Sequence, residues 1–125
     1  SDFAYRAAVY VNIAQDKSSA EQKGAEAAEI AQKAEKSAKN NLIVKRRIAN
    51  TYLLLAKVDQ SFEEKALGAG QDLLKLAPTD PQSYLTLAKI QVGIGQKGKA
   101  QESLSLALLL KPDYLEAQEL LIQLR

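Results

Sequence analysis

The chain has 125 residues, 46% of them hydrophobic, a size that suits one domain able to bury well over half of its unfolded surface without a covalent staple. Cysteine and histidine are both absent; this excludes disulfides, thiolate or imidazole metal sites and Cys- or His-based catalysis, and leaves the compartment open, since oxidising and reducing locations both tolerate cysteine-free chains. Seventeen Lys and Arg against fifteen Asp and Glu leave a net charge of +2 with the signs mixed along the chain, so there is no electrostatic case for nucleic acid or an anionic membrane surface.

Seven helices are predicted in chain order. Residues 2–15 place Phe3, Ala7, Val11 and Ala14 on one stripe, the spacing of an amphipathic helix. Ser19 with Gln22 reads as a capping box opening an Ala-rich helix over 19–38, which Asn40 and Asn41 break. A third helix is predicted over 42–57, and Ser61 with Glu64 forms a second capping box opening a fourth that ends before Pro78. Asp80 followed by Pro81 starts the fifth, because proline lacks an N–H that a first helical turn cannot use. Gly95 and Gly98 bracket the next turn, the sixth helix spans 97–110, and Pro112, Asp113 and Glu116 open the last, which runs to the end of the chain. Six aliphatic residues lie between Leu104 and Leu110, but the Ala-rich helical frame around them argues against a strand.

Thirty-four residues separate Pro78 from Pro112, and the same interval carries Lys65 onto Lys99, Ala66 onto Ala100, Leu74 onto Leu108 and Leu76 onto Leu110. A helical unit of this length cannot bury its own apolar face, so copies are expected to stack. Between residues 81 and 114 the repeat holds Tyr84, Leu87-Ala88, Gln91, Gly95, Ala100, Leu104, Ala107 and Pro112. These positions resemble the tetratricopeptide repeat, whose pattern is an aromatic, Leu-Gly and Tyr on a first helix, then Ala, an aromatic, Ala and a closing Pro on a second.

The resemblance implies an all-α, right-handed α-solenoid of stacked antiparallel hairpins, about seven helices in one domain over 1–125. Residues 1–41 form a degenerate repeat, since a spacing of 39 maps Ala27 onto Ala66 and Ala34 onto Leu73. Residues 42–80 form a repeat with about five extra residues between Ala56 and Phe62, matched at Ile48-Ala49, Tyr52, Ala66, Leu73 and Pro78. Residues 81–114 match best, and 115–125 form a capping or truncated helix. Gln91 in place of Tyr is expected to weaken one contact, and Lys45 and Gly70 in aromatic slots to loosen the second repeat. At a narrower level, the order of the Tyr-Arg-bearing helix, the Ala-rich helix, Asn40-Asn41, Ile48 to Tyr52 and Leu76 to Pro81 resembles the repeat tails of bacterial O-antigen ligase or polymerase-like membrane proteins. Methionine is absent even at the start, which is consistent with a domain of a longer chain tethered in that way. The 125 residues themselves contain no apolar run of roughly 18 residues and no signal-like segment, so membrane insertion of this region is not expected.

Chemistry-bearing motifs are few. Gly93-x-Gly95-x-x-Gly98 matches the dinucleotide fingerprint literally and Gly93 to Lys99 most of a phosphate loop, but both require a preceding strand, and a tight turn between paired helices explains the glycines. A nucleotide-binding reading of this turn is the remote alternative. Gly68-x-Gly70 within a helix is read as a place where a neighbour approaches closely. Glu63-Glu64 point about 100 degrees apart and cannot share a proton, and Lys99 with Ser103 reads as a surface pair without an oxyanion hole. No calcium-loop spacing is present. No catalytic residue, metal site or cofactor is therefore assigned.

What the resemblance implies instead is a protein–protein interaction scaffold, with a concave groove built from first helices. Its exposed positions are Ile43, Arg46, Asn50, Leu53 and Leu54, then Gln82, Leu85, Lys89 and Val92. A mixed polar and aliphatic groove suits a partner protein's extended or helical segment. The alternative is self-association, a homodimer formed through the stripe Ala117, Leu120, Leu121 and Leu124 on the last helix.

Overall fold

The structure, a computed structural model, describes residues 17–37 and 40–125, with side chains for 23–36 and 40–125. The predicted first helix, 2–15, lies outside the described residues. Among those described there are six α-helices and no strand: α1 (Lys17–Ser37), α2 (Leu42–Val58), α3 (Glu63–Leu76), α4 (Pro81–Gly93), α5 (Lys97–Leu110) and α6 (Leu115–Gln123), with a 3₁₀ turn at Gln60–Phe62.

Punctuation residues account for several of these boundaries. Asn41 caps α2, its Oδ1 accepting the Val44 amide at 3.2 Å, and Asp80 caps α4, its Oδ1 accepting the Gln82 amide at 2.9 Å with Pro81 in the first turn. Gly95 turns the chain at φ 84°, a backbone that a Cβ would strain. The capping box predicted at Ser61 does not form, and the helix predicted to open at Ser19 starts earlier. Ser19 lies inside α1, whose described start is Lys17. The Ser61 hydroxyl and amide both donate to Asp59 Oδ1, at 2.8 and 3.0 Å, so Ser61 stabilises the 3₁₀ turn and α3 begins without a side-chain cap. These two hydrogen bonds hold the exposed Asp59 carboxyl below its ordinary range.

The 3₁₀ turn lies where about five extra residues are expected between Ala56 and Phe62. Helix α2 has 17 residues where α4 has 13, and the 3₁₀ turn follows it.

Each helix packs on the next in sequence, and α2 also packs on α4. Helix α1 offers α2 a face of small residues, Ala27, Ala28, Ala31 and Ala34, all buried; their spacing is that of one helical stripe and their size permits a close crossing. The interior forms two clusters. One joins α1, α2 and α3 around Ile48, Tyr52, Leu55 and Leu73 and takes in Ile90 of α4. The other joins α4, α5 and α6 around Leu85, Ala88, Leu104 and Ala117. Helix α4 thus contributes to both.

Burial repeats along the chain. Ala66 and Ala100 are fully enclosed, as are Leu73 and Ala107, each pair 34 residues apart. Tyr84 donates its hydroxyl to the Pro78 carbonyl at 3.1 Å, and Gln118 donates its Nε2 to the Pro112 carbonyl at 2.7 Å. The two bonds join equivalent positions one repeat interval apart.

Two expected weak points are well packed. A Cβ added at Gly70 would lie 3.0 Å from both Leu87 Cδ1 and Ile90 Cδ1, so side chains of α4 fill the space beside it. Gln91 accepts a hydrogen bond from the Ser103 hydroxyl at 2.7 Å, both groups being buried. The polar pair replaces the Tyr contact, and it also corrects the surface reading of Ser103.

Candidate functional site

Helices α2 and α4 carry the predicted groove positions. Ile43 (59% exposed), Asn50, Gln82 and Val92 are open to solvent, and Arg46, Leu54 and Lys89 are partly covered. Leu53 and Leu85 are 9% and 2% exposed and belong to the two core clusters. Their place in the sequence put them on the groove stripe, but neighbouring helices close over them. A Cβ on Gly93 would come within 2.8 Å of Leu53 Cδ1, so the first glycine of the fingerprint-like pattern serves the approach of α4 to α2.

The two cations of this face are engaged. Arg46 Nη2 donates to Asp80 Oδ2 at 3.0 Å, and Lys89 Nζ donates to Glu116 Oε1 at 2.8 Å. In each case a basic side chain reaches an acid at the start of the next helix of the face, α2 to α4 and α4 to α6. Arg46 is mostly buried, and its Nε has no partner among the described residues, so the pairing with Asp80 is what compensates its charge. Tyr114 sits beside this network; burial first, then Glu116 and Asp80, push its hydroxyl pKa up against the opposing effect of Arg46.

A cleft that periodicity did not mark lies between α1 and α3. It measures about 320 Å³, with Tyr52 of α2 lining it between Gln32 and Glu35 of α1 and Lys65, Gly68 and Asp72 of α3. Tyr52 is 1% exposed and donates its hydroxyl to Glu35 Oε2 at 3.4 Å. Burial, with the Glu35 charge adding to it, raises its pKa to about 12. The sequence signal for this cleft is Gly68, a mid-helix glycine where an added Cβ would meet nothing within 4 Å.

The apolar stripe predicted for self-association faces inward. Ala117 is fully buried, and Leu120, Leu121 and Leu124 pack on the α4–α6 cluster, while Gln101 Nε2 donates to the Leu124 carbonyl at 3.1 Å. The stripe is the inner face of α6, because α6 needs an apolar side to dock on α5. The large apolar residues left open in this part of the chain are Leu106, Leu109 and Leu110 on α5 with Leu115 and Ile122 on α6.

Among the described residues no group of His, Cys, Asp or Glu could hold a metal ion, and no helix is long and apolar enough to cross a membrane. Set against known proteins, the chain matches no family model, and no curated protein matches it.

Proposed function

We propose that the chain is a non-catalytic protein–protein interaction module, a right-handed stack of tetratricopeptide-like helix hairpins that holds a segment of a partner protein along the face of α2, α4 and α6. The observation that carries this reading is the recurrence, one repeat interval apart, of the Tyr84–Pro78 and Gln118–Pro112 hydrogen bonds together with the burial of Ala66 and Ala100. Units that repeat in this way and pack on their neighbours generate an extended surface rather than an enclosed pocket. On that surface Ile43 and Val92 offer apolar contact and Asn50 and Gln82 offer amide hydrogen bonds, a combination suited to peptide.

The internal ion pairs define how this should be tested. Changing Arg46 would strand Asp80 and disturb the packing of α2 on α4, so the informative substitutions are at Asn50 and Val92, which are exposed. Peptides selected on the wild-type domain from a random library should lose about tenfold or more in affinity for an Asn50→Arg/Val92→Asp variant and bind a Leu106→Asp control unchanged. Selected peptides that bind all three proteins equally would rule out this face.

A further inference from the structure

The cleft between α1 and α3 lies on the other side of α2 from the proposed peptide face. At 3.6 residues per turn, Tyr52 projects about 160 to 180 degrees away from Asn50 and Ile43. What happens at one face is therefore separable from what happens at the other.

Three features of the cleft call for an occupant. Glu35 and Asp72 place carboxylates on facing walls, both partly buried, and neither forms an ion pair with a described residue, whereas Glu29 pairs with Lys33 on α1. Lys65, the cation of the lining, forms no ion pair with either, and its ammonium lies over the Phe62 ring, 5.7 Å from its centroid. Gly68 is the third feature. Gly70 and Gly93 are each explained by a helix pressing on them, whereas Gly68 faces open space, a conformational expense in mid-helix that packing does not require. It keeps the α3 wall low where a side chain would otherwise fill the cleft.

Carboxamides Gln32 and Gln71 add neutral acceptors to the two acids. An array of several acceptors around a half-dry slot favours a group with many donors in one plane and weak hydration, which describes guanidinium better than ammonium. Tyr52 contributes the floor, and its hydroxyl donates to one oxygen of Glu35, which leaves the other oxygen for a ligand. We infer that the α1–α3 cleft is a receptor for an arginine side chain presented by a partner polypeptide, gripped between Glu35 and Asp72.

The test uses ¹⁵N-labelled protein and a short blocked peptide with one arginine, compared with the same peptide carrying citrulline, which keeps the shape and removes the charge. The Gly68 and Asp72 amide signals should shift saturably with the arginine peptide while Gly95 and Gly98, at the distant turn, stay in place. The citrulline peptide should bind about tenfold or more weakly, the difference expected when a charge-assisted pair is lost. A Glu35→Gln/Asp72→Asn variant should lose the response. Should that variant fold poorly, Gly68→Leu, which projects into the open cleft, should block the Asp72 shift in a protein with an intact fold. No shift at millimolar peptide, an equal response to citrulline, or a response that survives in both variants would overturn the assignment.

Discussion

At the scale of single residues, glycines separate packing from permissiveness. Both Gly68 and Gly70 lie inside α3, and alanine is the better helix former by about 1 kcal/mol. At Gly68 nothing opposes that gain, so Gly68→Ala should raise stability by about 0.5 to 1 kcal/mol. At Gly70 the new methyl would press on Leu87 and Ile90 at 3.0 Å, and these side chains are themselves enclosed, so overpacking should reverse the sign. Urea denaturation of the two variants measures the contrast; equal stabilisation would mean that α4 is not seated against α3 as described. Tyr52 supplies a pH prediction. Its neutral form is favoured in the fold, so the stability it contributes is complete below the ordinary value of 10 and is lost as pH rises from there through about 12. Glu35→Gln should lower the Tyr52 pKa only part of the way back, since burial is the larger cause, and ultraviolet titration of the phenolate measures it. A full return to the ordinary value would show the phenol to be solvated.

At the scale of elements, Asp80 has two roles. One oxygen caps α4 through the Gln82 amide and the other holds Arg46 of α2. Asp80→Ala removes both and should cost about 1 to 3 kcal/mol. Asp80→Asn retains an acceptor for the cap, a role Asn fills as well as Asp, and should cost less. The gap between the two variants in chemical denaturation isolates the cap, and identical losses would leave the ion pair as the whole effect. Asp80-Pro81 was legible in the sequence because an N-cap followed by proline is a local device needing nothing from the rest of the fold. Ser61-Glu64 satisfied an equally local pattern and misled, because Asp59, two residues earlier, competes for the same hydroxyl and amide. Exposure was legible to the same degree: the repeat resemblance put Ile43, Asn50, Gln82 and Val92 at open positions, as they are, but it could not show that α2 and α4 converge over Leu53 or that Leu85 turns into the α4–α6 core. The cleft was harder still to read, since Glu35, Tyr52 and Asp72 come from three helices and share no spacing.

At the scale of the whole molecule, stability is carried by neighbours. The first cluster joins α1, α2 and α3, the second joins α4, α5 and α6, and Ile90 on one side of α4 and Leu85 with Ala88 on another tie them together. In such an arrangement a lesion should be felt most in the units it touches and fade with distance along the chain, because the described helices pack chiefly on their sequence neighbours, with α2 also on α4. Ala107 tests this. It is fully enclosed among Ala100, Leu104 and Ala117, so Ala107→Trp forces α5 off its neighbours at a cost of about 1 to 3 kcal/mol or more. Native-state hydrogen exchange should then show α5 and α6 losing protection first, α4 to a smaller extent, and α2 and α3 retaining most of theirs. The α2–α4 contact and the Arg46–Asp80 pair limit how far α4 can follow α5 before the first cluster feels the loss. Uniform loss of protection through all six helices would mean a single cooperative core, with α4 a rigid partition rather than a joint, and the repeat interval would then describe the sequence without governing how the protein opens.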